Sequence, residues 1–146
     1  MALRAYQELA IAQVREALET YFRALLVMPT GSGKTIVFAR ICRLASDKGR
    51  KVLILVHRRE LVKQASDKLT KAGVEHGIIA AGFKPSAHPV QIASVQTLAR
   101  RLRTVSIEPD LIIIDEAHHA VAGQWEKILQ HFGNVRVIGV TATPSR

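Results

Sequence analysis

The sequence predicts an α/β fold: a mostly parallel sheet flanked by helices on both faces. Three observations predict it. The near-continuous apolar runs Val52-Leu53-Ile54-Leu55-Val56 and Leu111-Ile112-Ile113-Ile114 have the pattern of strands buried on both sides. Helix-like segments separate most of the strand candidates, the alternation that builds right-handed βαβ units in a doubly wound layer. A glycine-rich stretch, 28–35, sits between a strand candidate and a helix candidate. Ligands of such sheets bind beyond the carboxyl ends of the strands, which is where that stretch falls.

In chain order, residues 3–20 form a helix candidate, with Leu9, Val14 and Leu18 as apolar positions among good helix formers. Ala24-Leu25-Leu26-Val27 opens the strand candidate 24–28, and Ile36-Val37-Phe38-Ala39-Arg40-Ile41 lies in the helix candidate 34–46. The strand 52–56 and the helix 58–72 come next. Strands 77–81 and 90–94 flank the one turn-rich loop of note, Gly82-Phe83-Lys84-Pro85-Ser86-Ala87-His88-Pro89. Helix 95–103, strand 111–115, helix 124–132 and strand 135–140 complete the series. No internal repeat, low-complexity tract or linker interrupts it, so residues 1–146 read as one domain.

Composition narrows the function. With 48% apolar residues the chain can build a core, and no apolar run approaches the ~20 residues of a membrane span, so no membrane partner is expected. The amphipathic, Arg-bearing start resembles a transit peptide, but Glu8, Glu16 and Glu19 argue against that. A single cysteine, Cys42, excludes an internal disulfide and points to the reducing cytoplasm, with core packing as its expected role. The net charge is +9, and it is unevenly placed: residues 40–103 hold 14 Lys/Arg against 4 Asp/Glu, the remainder 7 against 8. Such a surplus is the footprint of a phosphate-backbone contact surface, or else an Arg-rich solvated face. Aromatics are scarce at 5%, which disfavours a base-stacking platform.

The stretch Met28-Pro29-Thr30-Gly31-Ser32-Gly33-Lys34-Thr35 reads as a P-loop. Gly31 and Gly33 let the backbone wrap a polyphosphate, so that N–H groups and a helix N-terminus face it. Lys34 reaches the outer phosphates and the Thr35 hydroxyl ligates magnesium. Met28 stands where G-x-x-x-x-G-K-[ST] has its first glycine; the alternative is a flexible Gly/Ser turn with an incidental lysine. Far downstream, the strand 111–114 delivers Asp115-Glu116-Ala117-His118 to the same sheet edge. Asp115 is placed to hold the metal through its water shell, and Glu116 to orient and deprotonate the attacking water. The alternative is an acidic strand end capping the next helix. Asp115 and His118 also have the i,i+3 spacing of zinc ligands, but no third or fourth ligand with zinc spacing lies nearby.

These motifs, with Thr141-Ala142-Thr143-Pro144, resemble motifs I, II and III of superfamily 2 helicases of the DEAH/DExH kind. Leu3-Arg4-Ala5-Tyr6-Gln7 is similar to the upstream glutamine motif. Val56-His57-Arg58-Arg59-Glu60-Leu61-Val62-Lys63-Gln64 is similar to motif Ia, and Ala93-Ser94-Val95-Gln96-Thr97-Leu98 to motif Ib. The combination most resembles the group containing the type III restriction-enzyme motor subunit and the XPB-like helicases, and it covers essentially the whole chain.

The resemblance implies a RecA-like P-loop NTPase domain that binds ATP and Mg²⁺. Pro29, Thr30, Gly31, Ser32, Gly33, Lys34 and Thr35 would bind ATP, with Gln7 on the adenine edge and Arg4 lining the same pocket. Lys34, Asp115 and Glu116 would be catalytic, and Thr35 and Asp115 would serve the metal. Arg58, Ser94, Gln96 and Thr97 would face the nucleic acid, DNA in preference to RNA; they fall inside the basic segment. For Arg100, Arg101 and Arg103 a solvated face is an equal alternative. Thr141, Thr143 and His118 would couple the phosphate site to strand movement, and the strand leading into Thr141 would lie between those carrying the P-loop and Asp115. Such motors pair two RecA-like domains. The second, with its arginine finger, is absent from this chain, so the isolated chain is expected to be a fragment with little activity. Two other readings are an unrelated P-loop enzyme such as a small-molecule kinase, and an ATP-dependent nucleic-acid-binding switch without unwinding.

Overall fold

The computed structural model describes residues 5–20, 23–28, 33–115 and 122–142. Among these the element order is α1 (Ala5–Thr20), β1 (Arg23–Met28), α2 (Lys34–Asp47), β2 (Val52–Val56), α3 (Glu60–Lys71), β3 (Gly77–Ile79), β4 (Val90–Ser94), α4 (Val95–Arg101), β5 (Leu111–Asp115), α5 (Ala122–Phe132) and β6 (Arg136–Ala142). The strands form one sheet in the order β1-β6-β5-β2-β4-β3, and every pairing is parallel. All carboxyl ends therefore share one edge. β6 does lie between β1 and β5, as the resemblance implied.

The apolar runs follow from burial on both faces. Val52, Ile54 and Val56 of β2 join one core with residues of α1, α2 and α3. Leu53 and Leu55 join a second core, on the other face, with residues of α4 and α5. An alternating strand would leave one of those faces wet. Cys42 lies in the first core, completely buried, and desolvation pushes its thiol up to about 12.

Helix and strand ends shift by up to two residues from expectation, as at α4, which stops at Arg101, and β6, which runs to Ala142. On α1 the buried stripe is Gln7, Ala10, Ile11 and Val14, an i, i+3, i+4, i+7 pattern, and Leu9 falls on the opposite side at 58% exposure. Leu18's side chain lies outside the described residues. β3 ends at Ile79, two residues early, because the chain leaves the sheet at Ala80 to enter the loop. On β1, Leu26 and Met28 enter the first core, whereas Leu25 and Val27 are 64% and 50% exposed. β1 is an outer strand, and no described element covers its second face.

The two ends of the strands are bridged differently. At the amino-terminal edge, β2 and β5 are tied before their ladder begins. The Lys51 N–H donates to Asp110 Oδ2 (2.8 Å), and the Asp110 N–H returns a bond to the Lys51 carbonyl (2.8 Å). At the carboxyl edge the strands stop and the chain turns into helices, which is the geometry that collects functional loops.

Candidate active site

The carboxyl edge has two halves. In the first, β1, β6 and β5 run side by side: Val27 pairs with Thr141, Met28 with Ala142, and Asp115 with Val140. Met28 is the last residue of β1 and is buried in the core. That accounts for the missing first glycine of the motif, since the chain at that position is still a strand and uses its side chain for packing.

Gly33 makes the turn into α2. Its φ of 78° and ψ of 41° lie in the left-handed region that favours glycine, and its carbonyl accepts the N–H of Ile36 (3.0 Å). Among the described residues no side chain caps this helix, and its first turn holds no acid, so its N-terminal dipole favours an anion. Gln7, 1% exposed, packs directly on the turn: its Nε2 donates to the Gly33 carbonyl at 3.4 Å. A Cβ at residue 33 would collide with that same amide nitrogen.

From the first turn of α2, Lys34 reaches over the end of β6. Its Nζ lies 3.0 Å from Asp115 Oδ1, and both side chains are 24% exposed. Beside this ion pair a cavity of about 180 Å³ runs between α2 and α3, also lined by Gln64 and Lys68. Neither residue was expected at the site. Gln64 closes the stretch similar to motif Ia and Lys68 lies beyond it, and the signal that could have found them is their i,i+4 spacing on one side of α3.

In the second half of the edge, Val56 of β2 pairs with Ser94 of β4. The chain turns there into α3 and α4, so Arg58 and the start of α4 share this edge. Arg58 and Gln96 are exposed and Thr97 is half-buried. Ser94 is fully buried; its hydroxyl caps α4 by accepting the Thr97 N–H (3.1 Å) and donates to Thr97 Oγ1 (2.9 Å). The direct role of the Ser94 side chain is thus to start the helix that carries Gln96 and Thr97.

Arg4, Pro29, Thr30, Gly31, Ser32, Glu116, His118 and Thr143 lie outside the described residues, as does the side chain of Thr35. The basic segment 40–103 is divided between the two edges. Arg58 follows β2 at the carboxyl edge, whereas Lys48, Arg50 and Lys51 stand between the end of α2 and the start of β2, at the opposite one. Among the described residues no helix is long and apolar enough to cross a membrane.

A parallel sheet with a glycine turn and a lysine after one strand, and an aspartate ending the next strand but one, defines a RecA-like nucleotide-binding domain. The model of the type III restriction enzyme res subunit matches residues 1–146, and the chain belongs to this family of superfamily 2 helicase domains. It is 39% identical to a putative ATP-dependent helicase, IRC3, of Saccharomyces cerevisiae, covering 99% of this chain and 24% of that protein. It is 30% identical to the DNA 3'-5' translocase XPB2 of Sulfurisphaera tokodaii, covering 99% and 31%. The UvsW helicase of bacteriophage T4 shares the fold at a TM-score of 0.79 and 21% identity, over 97% of this chain and 52% of that one. The chain spans about a quarter of the length of curated relatives it matches.

Proposed function

We propose that this chain is the ATP-binding motor domain of a nucleic-acid-dependent ATPase, a helicase or translocase completed by a second RecA-like domain in the same polypeptide. The observation that carries the reading is the meeting of Lys34 and Asp115 at one sheet edge. An ammonium beside a carboxylate at a helix N-terminus is what a magnesium–triphosphate complex requires: the cation binds phosphate oxygens, and the carboxylate serves the metal's water shell.

The donors fit magnesium, since Asp115 and Thr35 offer hard oxygens. Bound there, the metal would neutralise charge on the phosphates. Lys34 binds those phosphates, Glu116 orients and deprotonates the attacking water, and Gln7 and Arg4 hold the adenine side. Thr141 lies on β6, the strand between the two halves of the nucleotide site, and with Thr143 and His118 it is suited to transmit the state of that site. Arg58, Gln96 and Thr97 contact the nucleic-acid backbone, with Ser94 supporting them. The Sulfurisphaera relative is named a DNA translocase and a mimivirus relative of the same 30% identity a putative ATP-dependent RNA helicase, so the choice of DNA over RNA rests on the test below. The lone buried cysteine supports a reducing, cytoplasmic setting.

The test is ATP turnover by the longer parent protein, with and without single- and double-stranded DNA and RNA, for wild type and Glu116→Gln. DNA-stimulated turnover that Glu116→Gln abolishes is expected. A nucleotide-gated switch would keep nucleotide-dependent nucleic-acid binding without stimulated turnover, and a small-molecule kinase would ignore nucleic acid; either result defeats the motor reading.

A further inference from the structure

We propose that the sheet border formed by β3 carries a site for a small organic anion, a carboxylate or phosphate group on an apolar body. A cavity of about 590 Å³ opens there, between the loop that follows β3 and the segment 101–107 at the end of α4. It lies within the ~300–1,000 Å³ of ordinary small-molecule sites. Its apolar lining is open to solvent: Ile78, Ile79, Val105 and Ile107 are only partly buried, and Phe83 is 52% exposed. Lys51 and Arg101 supply the charge, and among the described residues no Asp or Glu lines the cavity. The described residues that adjoin undescribed segments lie at the carboxyl edge or next to β1, and none of them lines it.

Both walls are preformed. Gln91, 6% exposed, holds the loop: its Nε2 donates to the carbonyls of Ser86 (3.1 Å) and His88 (3.0 Å). The Pro89 carbonyl then accepts the Val52 N–H (2.8 Å), which pins the end of the loop to β2. Opposite, the Thr104 and Val105 N–H groups both donate to the Arg101 carbonyl (2.9 Å each), closing the turn after α4. Of the arginines at 100, 101 and 103, only Arg101 is half-buried, and only it lines the cavity. Neither its guanidinium nor the Lys51 ammonium has a hydrogen-bond or ion-pair partner among the described residues; Asp110 engages the Lys51 backbone N–H instead. A half-buried guanidinium has given up water without a replacement, so an incoming anion is favoured there. The apolar lining calls for a body on that anion, which inorganic phosphate lacks. A nucleic-acid backbone would leave that lining uncovered. β3 is three residues long, too short an edge to template an added strand. β4 and β2 separate it from the strand that carries Asp115, so occupancy leaves the nucleotide site open.

The probe is 8-anilinonaphthalene-1-sulfonate, an anion with an aromatic body, titrated into the full chain by fluorescence. Saturable binding is expected, with amide-exchange protection in 80–88 and 101–107. Arg101→Gln should weaken it roughly tenfold, the loss of one charge-assisted hydrogen bond, and Lys51→Gln should act in the same direction. Arg101→Lys keeps the charge and should retain most of the affinity, which separates electrostatics from a folding defect. The uncharged analogue N-phenyl-1-naphthylamine should bind wild type and Arg101→Gln equally. Naphthoate or naphthyl phosphate should displace the dye, and a duplex oligonucleotide should not. Dye affinity untouched by both glutamine variants, or an equal loss for the uncharged analogue, would overturn the proposal. So would protection confined to α2 or β1, failure of both small anions to compete, or displacement by the oligonucleotide.

Discussion

Lys34 Nζ and Asp115 Oδ1 stand 3.0 Å apart across the end of β6, so the helix that follows one strand and the carboxylate that ends another hold each other directly. Each group neutralises the other in the absence of nucleotide, and phosphate and magnesium must compete for them. Asp115→Asn removes the competitor for Lys34 and a donor for the metal. ATP affinity without magnesium is expected to hold or rise, while the gain on adding magnesium disappears. Turnover in the parent protein should fall by ~10²–10³, the usual effect of losing one charge stabiliser. Titration of a fluorescent ATP analogue with and without magnesium checks the first part, and steady-state kinetics the second.

Gly33→Ala carries two penalties. The left-handed backbone costs an L-residue about 1–2 kcal/mol, and the new methyl meets the Gln7 amide. Gln7→Ala in the same chain relieves the collision but not the backbone strain. Denaturant melts of both single variants and the double variant are expected to show positive coupling, with the double variant still less stable than Gln7→Ala alone.

At the start of α4 the two neighbouring residues should separate cleanly. Ser94→Ala removes the cap and is expected to cost about 1 kcal/mol of stability. Exposed Gln96→Ala should leave the melt within about 0.5 kcal/mol of wild type, as surface changes usually do, while weakening nucleic-acid stimulation. Thermal melts alongside nucleic-acid titrations of the parent's ATPase decide this. Equal stability of the two variants would refute the capping role.

Cys42 gives the fold a pH dependence in the alkaline range. Its thiol is raised from 9.0 to about 12 by burial, so the folded state keeps a proton that the unfolded chain releases. The associated stability is intact below pH 9 and is lost as pH rises from 9 through about 12, with a limiting slope of ~1.4 kcal/mol per pH unit for that one group. Melts between pH 8 and 11 should therefore decline less steeply in Cys42→Ala than in wild type. A thiol-reactive dye should label Cys42 only on unfolding.

The order and nature of the elements could be read from residues because the local and long-range patterns agree. The run 52–56 is apolar throughout, since both its faces are covered, and Gly33 announces a turn that only glycine makes without strain. The place of β6 between β1 and β5, by contrast, was reached only through the family resemblance, and the order of the other strands was not reached at all. What remained hidden arises where distant segments converge. Gln7 looks like any polar helix residue until α1 is laid against α2, and Gln64, exposed even in the fold, comes beside Lys34 and Asp115 only through the packing of α3 on α2. Ser94 read as a contact residue because a cap and a phosphate ligand use the same hydroxyl. The charge surplus of 40–103 misled by position: consecutive segments of a βαβ chain alternate between the two edges, so one continuous basic stretch is two separate surfaces.

The bare face of β1 affects how the chain behaves in the tube. Leu25 and Val27 stand side by side on a border strand whose outward amide row offers a template for another backbone. Concentrated solutions of this domain by itself should turn cloudy on warming before they lose helical signal. A lysine at position 25 should keep them clear.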